Sequence, residues 1–256
     1  PQSSTQRRHI EMPSLCERIQ PPYFQRPAEG VQDGSGDSLL RLSCPQVCQC
    51  RSTAQFLTGK MSTTFNVFRM VAEEMELEDR VSVIDSENLS TGSGLLILKA
   101  SQMVKEGKSR AEICQMIEKL KRKVKASFVV DTLTYLHRGG RCSSVAALAG
   151  GVLKLHPKIV VSDGTMGVDK KYRGKIEKVI LEYVKDMEEC LKKADSEMVF
   201  ITHSGCEQKI IDEVYDYLKH MNYFNEIFVT RAGGVISSHC GPGTLGVLYL
   251  EKQEFL

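Results

Sequence analysis

The chain of 256 residues has no Trp, and aromatic residues make up only 7% of it. It also lacks an excess of either charge: 34 Lys plus Arg face 32 Asp plus Glu, a net charge of +2. So even a balance gives no strong pull toward nucleic acid or an anionic membrane surface, and neither is expected as a partner. No apolar run reaches the roughly 18 residues a bilayer span needs, which argues against integral membrane association. No secretion pattern precedes the nine Cys, an odd count. A reducing, cytoplasmic setting is expected rather than a disulfide framework. With 41% hydrophobic residues the chain can still bury the core of one or two globular domains.

Lysine is absent from residues 1–50, which hold five Arg, six of the eight Pro and four of the nine Cys. The other 206 residues hold 20 Lys and nine Arg. No helical or alternating apolar period runs through the early segment, where Pro, Ser, Gln and Gly dominate. Residues 1–55 therefore read as atypical, either disordered or out of frame. Cys44, Cys48 and Cys50 lie close together but lack a second paired knuckle and a nearby His, so they read as free thiols rather than a metal site. Opening on Pro rather than Met, the chain reads as truncated.

Regular patterning starts near residue 56. Ser62-Thr63-Thr64 ahead of Phe65, Phe68, Val71, Ala72 and Met75 predicts an N-capped amphipathic helix. Arg80–Asp85 predicts a short buried strand, and Gly92-Ser93-Gly94 opens a helix rich in Leu and Ile. Ser109 to Glu112 fits a capping box loosely, ahead of a stripe of Ile113, Met116, Ile117 and Leu120. Further strands are predicted at Ser127–Asp131, Lys158–Ser162, Met198–His203 and Glu226–Thr230, with helices over 143–155, 175–193 and 207–220. Strands alternating with helices mean a layered α/β architecture.

Four stretches have the chemistry of a site. Thr58 to Thr64 offers hydroxyls and free N–H groups at a helix start, which suit an anion or simply cap the helix. Leu136 to Ser144 sets two Arg around Gly139-Gly140; a guanidinium fork there suits carboxylate or phosphate, or is merely solvated. Gly233 to Gly246 places His239 beside a tight Gly-Pro-Gly turn, as an anion ligand, an acid or base, or a turn cap. Val145 to Leu153, apolar with small residues, leaves room for a slender ligand or for ordinary packing. His156 and His203 read as satisfied structural histidines, and the Lys-rich runs 119–125 and 170–178 as solvated faces. No nucleophile and acidic partner join His239, so no catalytic residue is assigned.

Taken in order, these stretches resemble the DegV family of bacterial fatty-acid-binding proteins. Val83-Ile84-Asp85-Ser86 leading to Ser90 to Leu96 is similar to its strand-to-helix passage. Phe128 to Leu136 running into Gly139-Gly140-Arg141, and His239-Cys240-Gly241-Pro242-Gly243, resemble its central and closing motifs. The likeness extends over about residues 57–252. It implies a two-domain α/β fold with layered parallel or mixed sheets: the remainder of a first domain over 56–124 and a second over 125–256. It further implies a lipid carrier rather than an enzyme, with no metal or cofactor, a long-chain fatty acid as ligand and a fatty acid kinase as partner in phospholipid synthesis. By the same resemblance Ser62 and His239 hold the fatty acid carboxylate, and Arg141 serves kinase docking or contacts the transferred phosphoryl group.

Two departures accompany the likeness. Ser62-Thr63-Thr64 stands where the family usually has Ser-Gly-Thr, and residues 1–50 match neither the family's first strand nor its head-group loop. Alternative readings are a substrate-binding subunit akin to dihydroxyacetone kinase, or a remnant of the family that no longer binds lipid.

Overall fold

Residues 41–43, 51–142 and 155–252 are described by the computed structural model, with side chains from residue 58 onward. The chain begins with β1 (Arg41–Ser43) and β2 (Arg51–Leu57), followed by α1 (Thr64–Glu74) and β3 (Val81–Asp85). These strands form a three-stranded sheet in the order β1-β2-β3, with β2 and β3 parallel. Regular structure thus begins at strands earlier than residue 56, while most of the early segment, including the Cys44–Cys50 run, lies outside the described residues.

Next come α2 (Ser90–Lys105), α3 (Arg110–Leu120), β4 (Val124–Val129) and α4 (Thr134–Gly139). They are followed by β5 (Leu155–Ser162), β6 (Thr165–Arg173), α5 (Ile176–Asp186), α6 (Glu188–Leu191) and β7 (Ala194–Ser204). The chain closes with α7 (Gln208–His220), β8 (Glu226–Arg231), α8 (Gly234–Cys240) and β9 (Thr244–Glu251). Six strands form one mixed sheet in the order β6-β5-β4-β9-β7-β8, in which β7 and β8 run parallel.

Side chains alternate across this sheet with the strand period of two. Ala126, Phe128, Phe200 and Leu248 face a core shared with Leu95, Leu96, Ile113 and Ile117 of α2 and α3. Val129, Ile201, Leu245 and Val247 face the opposite core, filled by α5 and α7. Lys99 ties α2 to the start of β7 through Asp195 and Glu197, at 3.0 and 2.5 Å. Burial alone would lower the Lys99 pKa, but its hydrogen bonds to both carboxylates outweigh that and hold it above the ordinary value.

Several expectations need correction. The single helix over 175–193 is two, broken at buried Met187, whose N–H bonds Val184 O in a tightened turn. Ser109 and Glu112 form a complete capping box, each accepting from the other's backbone N–H, at 2.8 and 3.3 Å. The stripe of α1 is buried only at Ala72, while Val71 and Met75 are 42% and 61% exposed. A small sheet reaches one flank of α1, and no layer among the described residues covers its outer side. Strands β6 and β9 were not anticipated. Of the helix expected over 143–155 only Leu155 is described, and it begins β5; the rest, with the apolar stretch Val145 to Leu153, lies outside the described residues.

Candidate functional site

Across the six-stranded sheet, Phe128 stands opposite Gly246, Gly246 opposite Thr202, and Thr202 opposite Thr230. Gly246 has no side chain to raise from this row, and a Cβ there would lie 2.7 Å from Ser127 O. A hollow opens above it. Apolar groups form most of its wall, with Phe128 and Leu248 from the sheet, Leu89 from the approach to α2, and Ile236 and Cys240 from α8. Four lining residues carry hydroxyls: Ser90, Thr202, Ser204 and Thr244. His203, at the end of β7, also lines the hollow. The hollow is small, about 30 Å³, so its apolar walls and few convergent polar groups have the chemistry of an amphipathic ligand's site but not yet the volume of one.

The passage from β3 into α2 is held by its own polar side chains. Ser86 Oγ lies 2.9 Å from Ser93 Oγ and accepts from Asn88 N–H, while Asn88 Oδ1 accepts from Leu89 N–H. Gly92 is required because any Cβ would run into the Asn88 amide. Glu87 and Ser90 both adopt left-handed φ of 51°, unusual for residues with a side chain. Thr91 Oγ1 then meets Thr202 Oγ1 at 2.5 Å, and Thr202 Oγ1 meets Thr230 Oγ1 at 2.9 Å. This buried chain of three hydroxyls pins the first turn of α2 over β7 and β8.

On the other side, α8 packs on α4. Gly139 abuts the His239 ring so closely that any Cβ would collide with Nδ1, and Gly241, at φ +80°, similarly abuts the Tyr135 ring. His239 is half-buried in this contact, one residue from Cys240 in the wall of the hollow. Burial pushes the Cys240 thiol up to about 12, so it stays protonated and contributes an uncharged surface. Arg141 is exposed and donates to Gly139 O at 2.7 Å, which folds its fork back on the Gly-Gly turn.

Ser62 sits half-buried at the start of α1. Its Oγ accepts from Thr64 N–H at 3.2 Å and lies 2.7 Å from Thr64 Oγ1, so it closes the helix turn while Thr63 makes no cap bond. The loop around it is clamped on the other elements: Gly59 N–H donates to Asp85 Oδ2, and Lys60 Nζ donates to Asp163 O. Three residues were predicted for the site. The structure brings His239 to the Gly139–Arg141 turn; among the described residues, no hydrogen bond joins Ser62 to either. The sheet hydroxyls Thr202, Ser204 and Thr244 were not predicted, although polar residues recurring every second position in otherwise apolar strands could have marked them.

His156 is buried, with its ring nitrogens 3.3 Å from Val130 O and 3.1 Å from Gly174 O, as expected of a structural histidine. Among the described residues no cluster of three or more His, Cys, Asp or Glu could hold a metal, and no helix is long and apolar enough to cross a membrane.

Residues 54–252 match the model of a family described as uncharacterised proteins of the DegV family. A DegV domain-containing protein of Caldanaerobacter subterraneus subsp. tengcongensis is 32% identical over 201 residues, covering 78% of this chain and 70% of that one. Among solved structures, a DegV family protein from Thermus thermophilus, described for its fatty acid binding, superposes with a TM-score of 0.68 at 28% identity. That match covers 77% of this chain and 69% of the other. The Streptococcus pneumoniae fatty acid kinase B3 protein, loaded with linoleic acid, shares the fold at 21% identity and a TM-score of 0.67, covering 78% and 71%. By the match over residues 54–252, the chain belongs to the DegV family.

Proposed function

We propose that this protein binds a long-chain fatty acid and presents its carboxylate to a fatty acid kinase in the cytoplasm, as a carrier that does no chemistry itself. The observation behind this reading is the hollow above Gly246, apolar through most of its wall with a few hydroxyls among its lining residues. Two features that the family resemblance ties to the head group neighbour its wall in sequence. One is the Ser62 loop, clamped on Asp85 just ahead of Leu89 and Ser90; the other is α8, which carries His239. In this reading Ser62 and His239 bind the carboxylate, Arg141 meets the kinase or the phosphoryl group, and residues 56–124 and 125–256 are the two lobes around the ligand. A desolvated carboxylate needs such donors, because an unpaired buried charge is costly. A wall so apolar suits an acyl chain better than the small polar substrate of a dihydroxyacetone-kinase-like subunit.

Native mass spectrometry of the protein purified from bacteria, and again after delipidation and reloading with palmitic acid, tests the reading. A bound long-chain acid is expected in both samples. Protein that stays empty in both refutes the carrier role, and unchanged affinity in both Ser62→Ala and His239→Ala puts the head group elsewhere.

A further inference from the structure

Loop tips usually face water, yet Gly164 at the tip of the β5–β6 hairpin is buried. Three backbone groups of the Asp163-Gly164 turn are spent on segments far away in sequence. Lys60 Nζ donates to Asp163 O at 2.7 Å, and Thr58 Oγ1 donates to Gly164 O at 3.4 Å. Gly164 N–H in turn donates to Glu87 O at 3.1 Å. The fit is close: a Cβ on Gly164 would lie 3.3 Å from Thr58 Oγ1 and 3.4 Å from Lys60 Cδ. The hairpin tip thus joins the loop that carries Ser62 to the passage leading into Leu89 and Ser90, which line the hollow.

The two elements beside this contact are held very differently. α2 is fixed along its length: Thr91 meets Thr202 at 2.5 Å, Lys99 reaches Asp195 and Glu197, and Leu95, Leu96 and Ala100 are fully buried. The Ser62 loop and α1 have far less. Only Ala72 of α1 is buried, while Val67, Met70 and Met75 are more than half exposed. In the loop, Met61 reaches the core only partly buried, and Gly59 N–H donates to Asp85 Oδ2 at 3.1 Å. Few buried apolar contacts mark a segment that opens locally at low cost. Opening is needed, because the hollow of about 30 Å³ is far below the roughly 300–1,000 Å³ of a ligand site.

We propose that Lys60 and the Asp163-Gly164 turn form a latch that must release the Ser62 loop before a fatty acid can enter or leave. This rests on the carrier reading and goes beyond it, assigning control of exchange to a contact outside the head-group set. A latch that opens before the ligand passes slows entry and exit alike. Losing one of its bonds therefore raises both rates by the same factor and leaves the affinity where it was.

Stopped-flow association and release of cis-parinaric acid, a fluorescent long-chain acid, tests this on the full chain. Lys60→Met keeps the side-chain stem and removes the donor. Both of its rates are expected to rise about fivefold, with Kd staying within about twofold of the wild type. Lys60→Arg restores a donor and should restore the wild-type rates. Gly164→Ala pushes on the contact from the other side, at a φ of +73°, and should behave like Lys60→Met. In the ligand-free protein, hydrogen exchange of Lys60→Met should quicken at residues 59–62 and stay unchanged in α2. Faster release with unchanged association would make the contact a support for Ser62 alone and overturn the latch. Unchanged rates in both Lys60→Met and Gly164→Ala, or exchange that quickens equally in α2, overturn it too. A wild type that does not bind the acid at all overturns the carrier reading and the latch with it, whereas the preceding outcomes in a protein that binds overturn the latch alone.

Discussion

The two faces of the six-stranded sheet are both covered by helices, yet they are built to different ends. Under α5 and α7, Val179, Ile180, Tyr183, Val184, Val214 and Leu218 are each at most 1% exposed. Tyr183 illustrates how completely that face is closed: its hydroxyl donates to Ser127 O at 2.8 Å and accepts from Val247 N–H at 3.0 Å. Burial, partly countered by hydrogen bonds with the Ser127 hydroxyl and Val247 N–H, pushes its pKa up to about 12. On the other face the same strands present Gly246, Thr202, Thr244 and Ser204, and there the packing stops short. Such a difference cannot come from the backbone, which both faces share. It comes from which alternate positions hold branched or aromatic side chains and which hold Gly, Ser or Thr.

Truncating the closed face should have the largest effect. Tyr183→Ala removes a fully buried ring and leaves Ser127 O and Val247 N–H unpaired, so a loss of about 3–5 kcal/mol is expected in urea denaturation. If the faces are independent, the protein that remains folded keeps its palmitic acid affinity. A loss under about 1 kcal/mol would mean this face relaxes around a void, contrary to its close packing.

Gly246→Ala tests the open face and should have an intermediate effect. The new Cβ would lie 2.7 Å from Ser127 O and 2.9 Å from Phe128 Cβ, contacts that force the sheet or the Phe ring to shift. An overpacking cost of about 1–3 kcal/mol is expected, together with weaker palmitic acid binding, because the same methyl rises toward the hollow. Stability and affinity should fall together here, whereas Tyr183→Ala separates them. An unchanged affinity in a folded Gly246→Ala protein would show that the ligand does not use this floor.

Much of this contrast was readable in the sequence and some of it was not. The strand-helix order and the motifs around Gly92, Gly139 and Gly241 were legible because each glycine answers a local need: an Asn88 amide, a His239 ring or a Tyr135 ring too close for any Cβ. Strand β6 was hidden by its charges. Asp169, Lys170 and Lys171 sit on the sheet's edge, where polar side chains face water and imitate a solvated run. The signal that could have found it was Asp163-Gly164, whose φ values of 50° and 73° make the tight hairpin turn expected of an Asp-Gly pair. Strand β9 was overlooked because Thr244 to Gly246 reads as the tail of a glycine motif, although the next residues are buried on both faces. The availability of a hydroxyl could not be read at all. Ser62 and Ser204 look alike in a sequence; only the fold reveals that one is bonded within its own turn and the other faces a cavity.

The smallest effect expected is on a thiol, and it probes the open face without a substitution. Cys240 lines the hollow, and burial holds its thiol at about 12, well above the 9.0 of an ordinary thiol, whereas Cys190 is exposed. Alkylation proceeds through the thiolate, so at pH 8 iodoacetamide should modify Cys190 quickly and Cys240 slowly. The thiolate fraction of Cys240 rises about tenfold per pH unit below its pKa, so its rate should climb steadily from pH 8 to pH 10 for as long as the fold holds. Because the folded protein binds this proton more tightly than the unfolded chain, the stability it contributes is complete below about pH 9 and is lost as the pH rises toward 12. Palmitic acid bound in the hollow covers Cys240 and leaves Cys190 as it was. Peptide mass spectrometry should therefore show the Cys240 rate falling on ligand addition while the Cys190 rate stays constant. Equal protection of both thiols would point to a general tightening of the fold, and no protection of either would mean that the acid lies away from α8.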